Sequence, residues 1–216
     1  LAGTLVLSAF EPELAPLRPL VRGLRQVRLS PVGIGAVDAA IGAAREIARA
    51  RPSRVIFVGT AGVYAGKLGR DAAAVGQVVV PAAIDCVSTA ALRGLGYLPQ
   101  PQVIRVTTSS ALRRALAPAA ARGPSPAAAC PLAITRSAAL ARRIVAATGA
   151  SVENLEAFAV ARAAETAGVE FAAVLGIANR VGPAAHREWL AHHRHASLAA
   201  AQTIAAYLSR RSGQKS

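Results

Sequence analysis

The chain has few cysteines, few aromatic residues and few acids. Cys86 and Cys130 are its only thiols among 216 residues, too few and too widely spaced for a disulfide framework or a Cys-rich zinc site. Aromatics supply 4% of the sequence, and 11 Asp plus Glu stand against 25 Lys plus Arg, for a net charge of +14. Such an excess raises the question of nucleic acid. The arginines are scattered, however, and no aromatic-rich basic motif accompanies them, so no nucleic-acid partner is expected. No uninterrupted apolar run is long enough for a membrane span, and no membrane association is expected. Glu11 and Glu13 arrive early with no positive leader or cleavage pattern, which makes cytoplasmic residence the expectation. His192, His193 and His195 lie in Ala-rich helical surroundings and read as a solvated helix face, so no metal and no cofactor are expected.

What the chain has in quantity is aliphatic side chain. At 53% hydrophobic residues, it carries a core of Ala, Val, Leu and Ile and is not a disordered chain. Its length suits one domain, expected over residues 1–209, with a flexible tail at 210–216. Short strands are predicted at Leu5-Val6-Leu7 and at residues 27–32, 54–59, 78–80, 103–106, 152–153 and 171–177. Helices are predicted at 37–50, 137–148, 155–167 and 183–209, the first ended by Arg51-Pro52-Ser53. The stretch through Ala129 reads as loop with an Ala-rich helical piece, and 122–126 as a turn. Alternating strands and helices favour a covered α/β sheet, in which strand exits suit a polar substrate site.

Several residues have the chemistry for such a site. Glu13 follows the first strand in the turn Glu11-Pro12-Glu13, where Pro12 restricts the backbone. It is the preferred general base, able to take a proton from an attacking water; an ordinary helix-start carboxylate is the alternative. Gly33-Ile34-Gly35 is a tight turn whose amides can approach an anion. Gly59-Thr60-Ala61-Gly62 is expected to leave the strongest strand as a loop, its backbone and hydroxyl available to a sugar or water. Glu153 and Glu156 share one side if a helix has begun there, and Glu156 suits the hydroxyls of a ribose. Phe158 either walls that sugar or enters the core. Asn179, expected at a strand exit, offers both a donor and an acceptor, which matches the O6 and protonated N7 of a leaving 6-oxopurine. Trp189 is expected to anchor the terminal helix against the site wall. Arg180, His186 and Arg187 are candidate contacts for an anionic substrate tail.

These segments resemble the bacterial purine nucleoside phosphorylase and nucleosidase superfamily, over most of the chain. The resemblance runs from Ser8-Ala9-Phe10-Glu11-Pro12-Glu13 through Val58-Gly59-Thr60-Ala61-Gly62 to Trp189. Its most specific part joins Val152-Glu153-Asn154-Leu155-Glu156 to Gly176-Ile177-Ala178-Asn179-Arg180-Val181-Gly182-Pro183. Asn at 179, where adenine-directed relatives carry Asp, looks most like the futalosine hydrolases. Leu155 in place of Met, Ala157-Phe158 in place of a Gly-containing pair, and Gln77 in place of an acid depart from the pattern.

The resemblance implies a three-layer α/β sandwich with a mixed, twisted central sheet flanked by helices, and a homodimer. It implies Glu13 and Asn179 as catalytic residues. Thr60, Ala61, Gly62, Asn154, Leu155, Glu156, Phe158 and Trp189 are then expected at the substrate. The implied reaction is hydrolysis of the N-glycosidic bond of futalosine or a related 6-oxopurine nucleoside by water, releasing hypoxanthine in menaquinone biosynthesis. Phosphorolysis, an adenine-directed nucleosidase acting on aminodeoxyfutalosine, methylthioadenosine or S-adenosylhomocysteine, and a non-catalytic nucleoside-binding protein are the alternatives.

Overall fold

The computed structural model describes residues 3–67, 75–117 and 126–213. Strand β1 (Thr4–Ser8) lies parallel between β2 (Val27–Pro31) and the long β3 (Arg54–Val63). On its other edge β3 runs parallel to β9 (Glu170–Arg180), which also pairs antiparallel with β4 (Val78–Val79). The far end of β3 turns the sheet onto a second wing, through β8 (Val152–Glu153), β7 (Ala127–Pro131), β5 (Ala83–Val87) and β6 (Arg105–Thr107). Parallel and antiparallel pairs both occur, so the sheet is mixed and curls around the end of β3.

Alternation along the strands explains the layers. Leu5, Leu7, Val55, Phe57, Phe171, Ala173 and Leu175 enter one core, with Ala39, Ala43 and Ile47 of α3 (Ala36–Ala50) and Val160, Ala161 and Ala164 of α7 (Ala157–Thr166). Val6, Ile56, Val58, Ala172 and Val174 point the opposite way. They meet Leu14 of α1 (Glu11–Leu14), Leu17 of α2 (Leu17–Leu20), Leu112 and Leu116 of α5 (Ser110–Leu116), and Ala200, Ile204 and Leu208 of α8 (Ala185–Gly213). A period of two with both phases buried is the mark of a central strand covered on each face. Each such Leu, Ile or Phe contributes about 1.5–3 kcal/mol relative to exposure, and a one-residue slip would exchange the two cores. A third, smaller core under the second wing joins Tyr64, Val87 and Ala129 to Ile144 of α6 (Ala138–Thr148). The result is the expected three-layer α/β sandwich. Among the described residues no helix is long and apolar enough to cross a membrane.

The structure corrects the sequence reading in several places. Thr60-Ala61-Gly62 is not an exit loop, because β3 continues to Val63; Asn179 likewise lies inside β9, which was expected to end at Ile177. The Ala-rich run predicted as loop and helix supplies β7, and β5 and α4 (Thr89–Leu92) were not anticipated. Alanine favours helix, but Ala127–Pro131 lies between two strands that offer it ladder partners on both sides. Asp85 inside β5 obscured that strand; Arg105 on the neighbouring β6 grips it at 2.6 and 2.9 Å. The last helix extends to Gly213, beyond the Ser209 expected as its end. The turn expected at 122–126 falls almost wholly outside the described residues.

Candidate active site

The ends of β1, β3, β8 and β9 converge on a cavity of about 320 Å³. Glu13, Thr60, Ala61, Gly62, Asn154, Leu155, Glu156, Asn179 and Trp189 all line it. Phe158, expected beside the sugar, does not; it packs against the core beneath α7. Ala9, Phe10, Ile34, Ile134, Ala185 and His186 complete the wall with Glu153. Phe10, Ile34 and Ile134 were not anticipated as lining residues. No local pattern distinguishes a wall residue from a core residue, although the exposure of Ile34 and Ile134 (64% and 52%) does so here.

Glu11 and Glu13 are separated by one proline and meet opposite environments. Glu11 is exposed and held by Arg18 at 2.5 and 2.7 Å, and that hydrogen-bonded guanidinium lowers its carboxyl from the usual value. Glu13 points inward and is buried. Its Oε1 accepts the Thr60 amide at 2.8 Å and the Thr60 hydroxyl at 3.1 Å. Its Oε2 is buried and has no hydrogen-bond partner among the described residues. Burial pushes the Glu13 carboxyl up to about 8, reinforced by the negative charge of Glu156 and opposed by the two Thr60 donors and the nearby Ala9 amide. A carboxyl poised there can exchange a proton near neutral pH.

Glu156 stands at the start of α7, and its Oε1 accepts the Gly35 amide at 3.0 Å. The glycine turn does present an amide to an anion, and that anion is a side chain of the protein. Gly35 takes φ 86°, a left-handed conformation that L side chains rarely adopt. Burial raises the Glu156 carboxyl as well, opposed by the Gly35 amide.

Asn154 lines the cavity with its carboxamide already in use. Its Nδ2 donates to the Thr60 carbonyl at 3.0 Å, and its Oδ1 accepts the amides of Glu156 and Ala157 at 3.0 and 2.8 Å. It ties β3 to the first turn of α7 and satisfies amides that a helix start leaves open. Glu153 and Glu156 do not share a helix face. Glu153 closes β8 and receives the Tyr64 hydroxyl at 2.7 Å and the Thr135 amide at 2.9 Å. Burial and the neighbouring Glu153 charge push the Tyr64 phenol above its ordinary value.

Asn179 owes its position to a bulge. Ala61 pairs with Ile177 and Gly62 with Asn179, leaving Ala178 as an extra residue in β9. Such an insertion redirects the side chain that follows it. The Asn179 carboxamide lies over Gly62, where a Cβ would come within 2.8 Å of Nδ2. One N–H of Nδ2 goes to the Arg180 carbonyl at 2.9 Å; an amide nitrogen carries two, so one remains to donate.

Arg180 is engaged by Glu188, to which its Nε donates at 3.0 Å. His186 reaches the cavity wall. No three His, Cys, Asp or Glu side chains gather into a metal-holding group among the described residues.

Residues 18–209 match the phosphorylase superfamily. The chain belongs to that family. No curated protein matches the chain by sequence. Among solved structures, the fold of this phosphorylase-superfamily chain is similar to that of futalosine hydrolase of Helicobacter pylori, at 17% identity and a TM-score of 0.83, covering 97% of this chain and 98% of that one. It is similar to the same degree to the 5′-methylthioadenosine/S-adenosylhomocysteine nucleosidase of H. pylori, at 16% identity and a TM-score of 0.83, covering 97% and 99%. The corresponding nucleosidase of Neisseria meningitidis gives 20% identity and a TM-score of 0.80, covering 98% and 100%. At these identities the likeness is one of fold.

Proposed function

We propose that this member of the phosphorylase superfamily is a nucleosidase that hydrolyses the N-glycosidic bond of a purine nucleoside. The observation that carries the reading is Glu13, a buried carboxylate with one oxygen bound twice by Thr60 and the other without a partner among the described residues, in one cavity with Glu156 and Asn179. Glu156 accepts hydrogen bonds from the ribose 2′ and 3′ hydroxyls. Glu13 takes a proton from water as that water attacks C1′, and the sugar develops oxocarbenium character. The C1′–N9 bond breaks as N7 takes a proton from solvent, so the base leaves neutral, with Asn179 donating to O6 and accepting from N7–H; Glu13 then returns its proton to solvent. Positioning and electrostatics supply the acceleration.

Water is favoured over phosphate as the nucleophile by the cavity's charge. Glu13, Glu153 and Glu156 line it, with no Lys or Arg among the described lining residues. A phosphate dianion entering while Glu13 is ionised to act as the base meets its negative charge, with no cation among the described lining residues to offset it.

The carboxamide at 179 favours futalosine or a related 6-oxopurine nucleoside, with hypoxanthine as product in menaquinone biosynthesis. The second reading is an adenine-directed nucleosidase acting on methylthioadenosine, S-adenosylhomocysteine or aminodeoxyfutalosine. The comparisons weigh toward this second reading, because most of the similar structures are methylthioadenosine/S-adenosylhomocysteine nucleosidases, one of them matching as well as the futalosine hydrolase. A homodimer of cytoplasmic residence completes the proposal. Val37 and Ile41 lie four residues apart on α3, 70% and 62% exposed, and with Ile34 at the cavity rim they form an apolar strip that a second copy would cover.

The test is base release from futalosine, aminodeoxyfutalosine, inosine and methylthioadenosine, each with and without phosphate. The expected products are free sugar and hypoxanthine, at a rate independent of phosphate. Sugar 1-phosphate would establish phosphorolysis, and preferential adenine release would establish the second reading. Ligand binding with no base released from any substrate would make the protein a non-catalytic binder.

A further inference from the structure

Trp189 reaches the site from the first turns of α8, its ring stacked between those of His186 (6.3 Å, 11°) and His193 (4.4 Å, 16°), with Phe10 tilted at 6.4 Å. Any aromatic ring could fill that slot. The polar edge of the indole is used separately: Nε1 donates to the Thr60 hydroxyl oxygen at 3.0 Å. An indole nitrogen only donates, and an ionised carboxylate only accepts. The Thr60 hydroxyl stands between the two and has one proton, which must therefore point at Glu13 Oε1. With the Thr60 amide on the same oxygen, Oε1 is doubly occupied, and a proton taken up by Glu13 must settle on Oε2.

We propose that Trp189 is a positioning residue: its N–H orients the Thr60 hydroxyl, and through it fixes Oε1 of Glu13 as the bound oxygen and Oε2 as the basic one. The proposal deepens the reading of Glu13 as the base and rests on it for its kinetic consequence. A tryptophan serving only as a substrate wall would use its faces, and its N–H would be dispensable. Other titratable groups face this chain of bonds: Glu156 acts on Glu13 by its charge, Glu153 lines the same cavity, and His186 and His193 flank the indole.

Trp189 is the only tryptophan in the chain, so its indole N–H gives one nitrogen-15 resonance. In the wild-type protein that resonance is expected to move as Glu13 titrates, near pH 8. The step should vanish in Glu13→Gln and in Thr60→Val. A resonance that stays flat across that range, or a step that persists in Glu13→Gln, overturns the proposal without a kinetic measurement. In kinetics, Trp189→Phe keeps the ring and removes the donor. Its kcat is expected to fall about three- to tenfold, the size of one hydrogen bond, with KM nearly unchanged and the acidic limb of the kcat profile moved to higher pH. In a Thr60→Val background the same substitution should add nothing. Equal effects in both backgrounds, or a change confined to KM, make Trp189 a wall residue and overturn the link. If the wild type releases no base from any nucleoside, the proposed activity falls, and the indole titration still judges the chain of bonds.

Discussion

Glu13 is an uncomfortable residue for a folded protein to hold. Its carboxyl titrates at about 8 against a usual 4.5, so between those values the folded state binds a proton that the unfolded state has released. Stability linked to Glu13 is therefore full below pH 4.5 and is lost as pH rises through 8, at about 1.4 kcal/mol per unit. Glu156, also raised, contributes with the same sign. A Glu13→Gln variant keeps an oxygen for both Thr60 donors and has no charge to bury. Thermal melts from pH 5 to pH 9 are expected to show a falling wild-type Tm and a shallower fall in the variant; parallel slopes would mean that Glu13 is ionised at little cost. The same variant should lose roughly 10²–10⁴-fold in kcat while still binding nucleoside, and wild-type kcat/KM should decline about tenfold per unit below pH 8. Comparable turnover in a folded Glu13→Gln protein would remove Glu13 as the base.

Asn179 carries the second prediction at this scale. Asn179→Asp exchanges a donor for an acceptor, which leaves O6 of an oxopurine facing a lone pair. A mismatch of this kind costs about 1–3 kcal/mol, so competition between matched inosine and adenosine derivatives should shift toward adenine by roughly five- to hundredfold. An unchanged ratio would show that Asn179 does not read the base edge. Both residues stood out in the sequence by type and position. The assignment of Asn154 as a substrate contact was incomplete, because a sequence does not display the carbonyl and two amides that occupy its carboxamide.

At the scale of elements, the site depends on how closely α8 lies on β9. A Cβ on Gly176 would come within 2.1 Å of the Ala196 carbonyl oxygen, and a helix backbone cannot yield as a side-chain tip does. Gly176→Ala is expected to cost about 1–3 kcal/mol, seen as a lower Tm. It should also weaken activity, because the helix that must move carries Trp189. A variant with wild-type stability would mean that α8 is free to ride outward. Strands with both phases apolar and the capped or punctuated helices were legible one by one: Arg51 ends α3 where Pro52 requires it, and Ser137 caps α6 through the Leu140 amide at 3.3 Å. β7 was not legible, since five residues of Ala127–Pro131 become a strand only when neighbours supply the ladder. The lengths of β3 and β9 were hidden for the same reason. Their mutual pairing continues past the glycines that looked like exits, and the bulge at Ala178 appears only in that pairing.

For the whole molecule, the apolar strip on α3 makes the remaining prediction. Ile41→Glu places a charge on an exposed helix position, so the fold should persist. Sedimentation is expected to show a dimer for the wild type and a monomer for the variant; a wild-type monomer, or a variant that remains dimeric, would free this face from the role. The sequence by itself determined the layered α/β class and singled out a carboxylate, a carboxamide and a tryptophan that the fold brings to one cavity, because periodicity and functional groups are local properties. The tertiary structure alone decided that Glu13 is buried and Glu11 is not, that Gly35 faces Glu156, and that Thr60 links Trp189 to Glu13. Each of those depends on groups tens of residues apart being brought within hydrogen-bonding distance and out of water, and neither distance nor desolvation is written in the order of the residues.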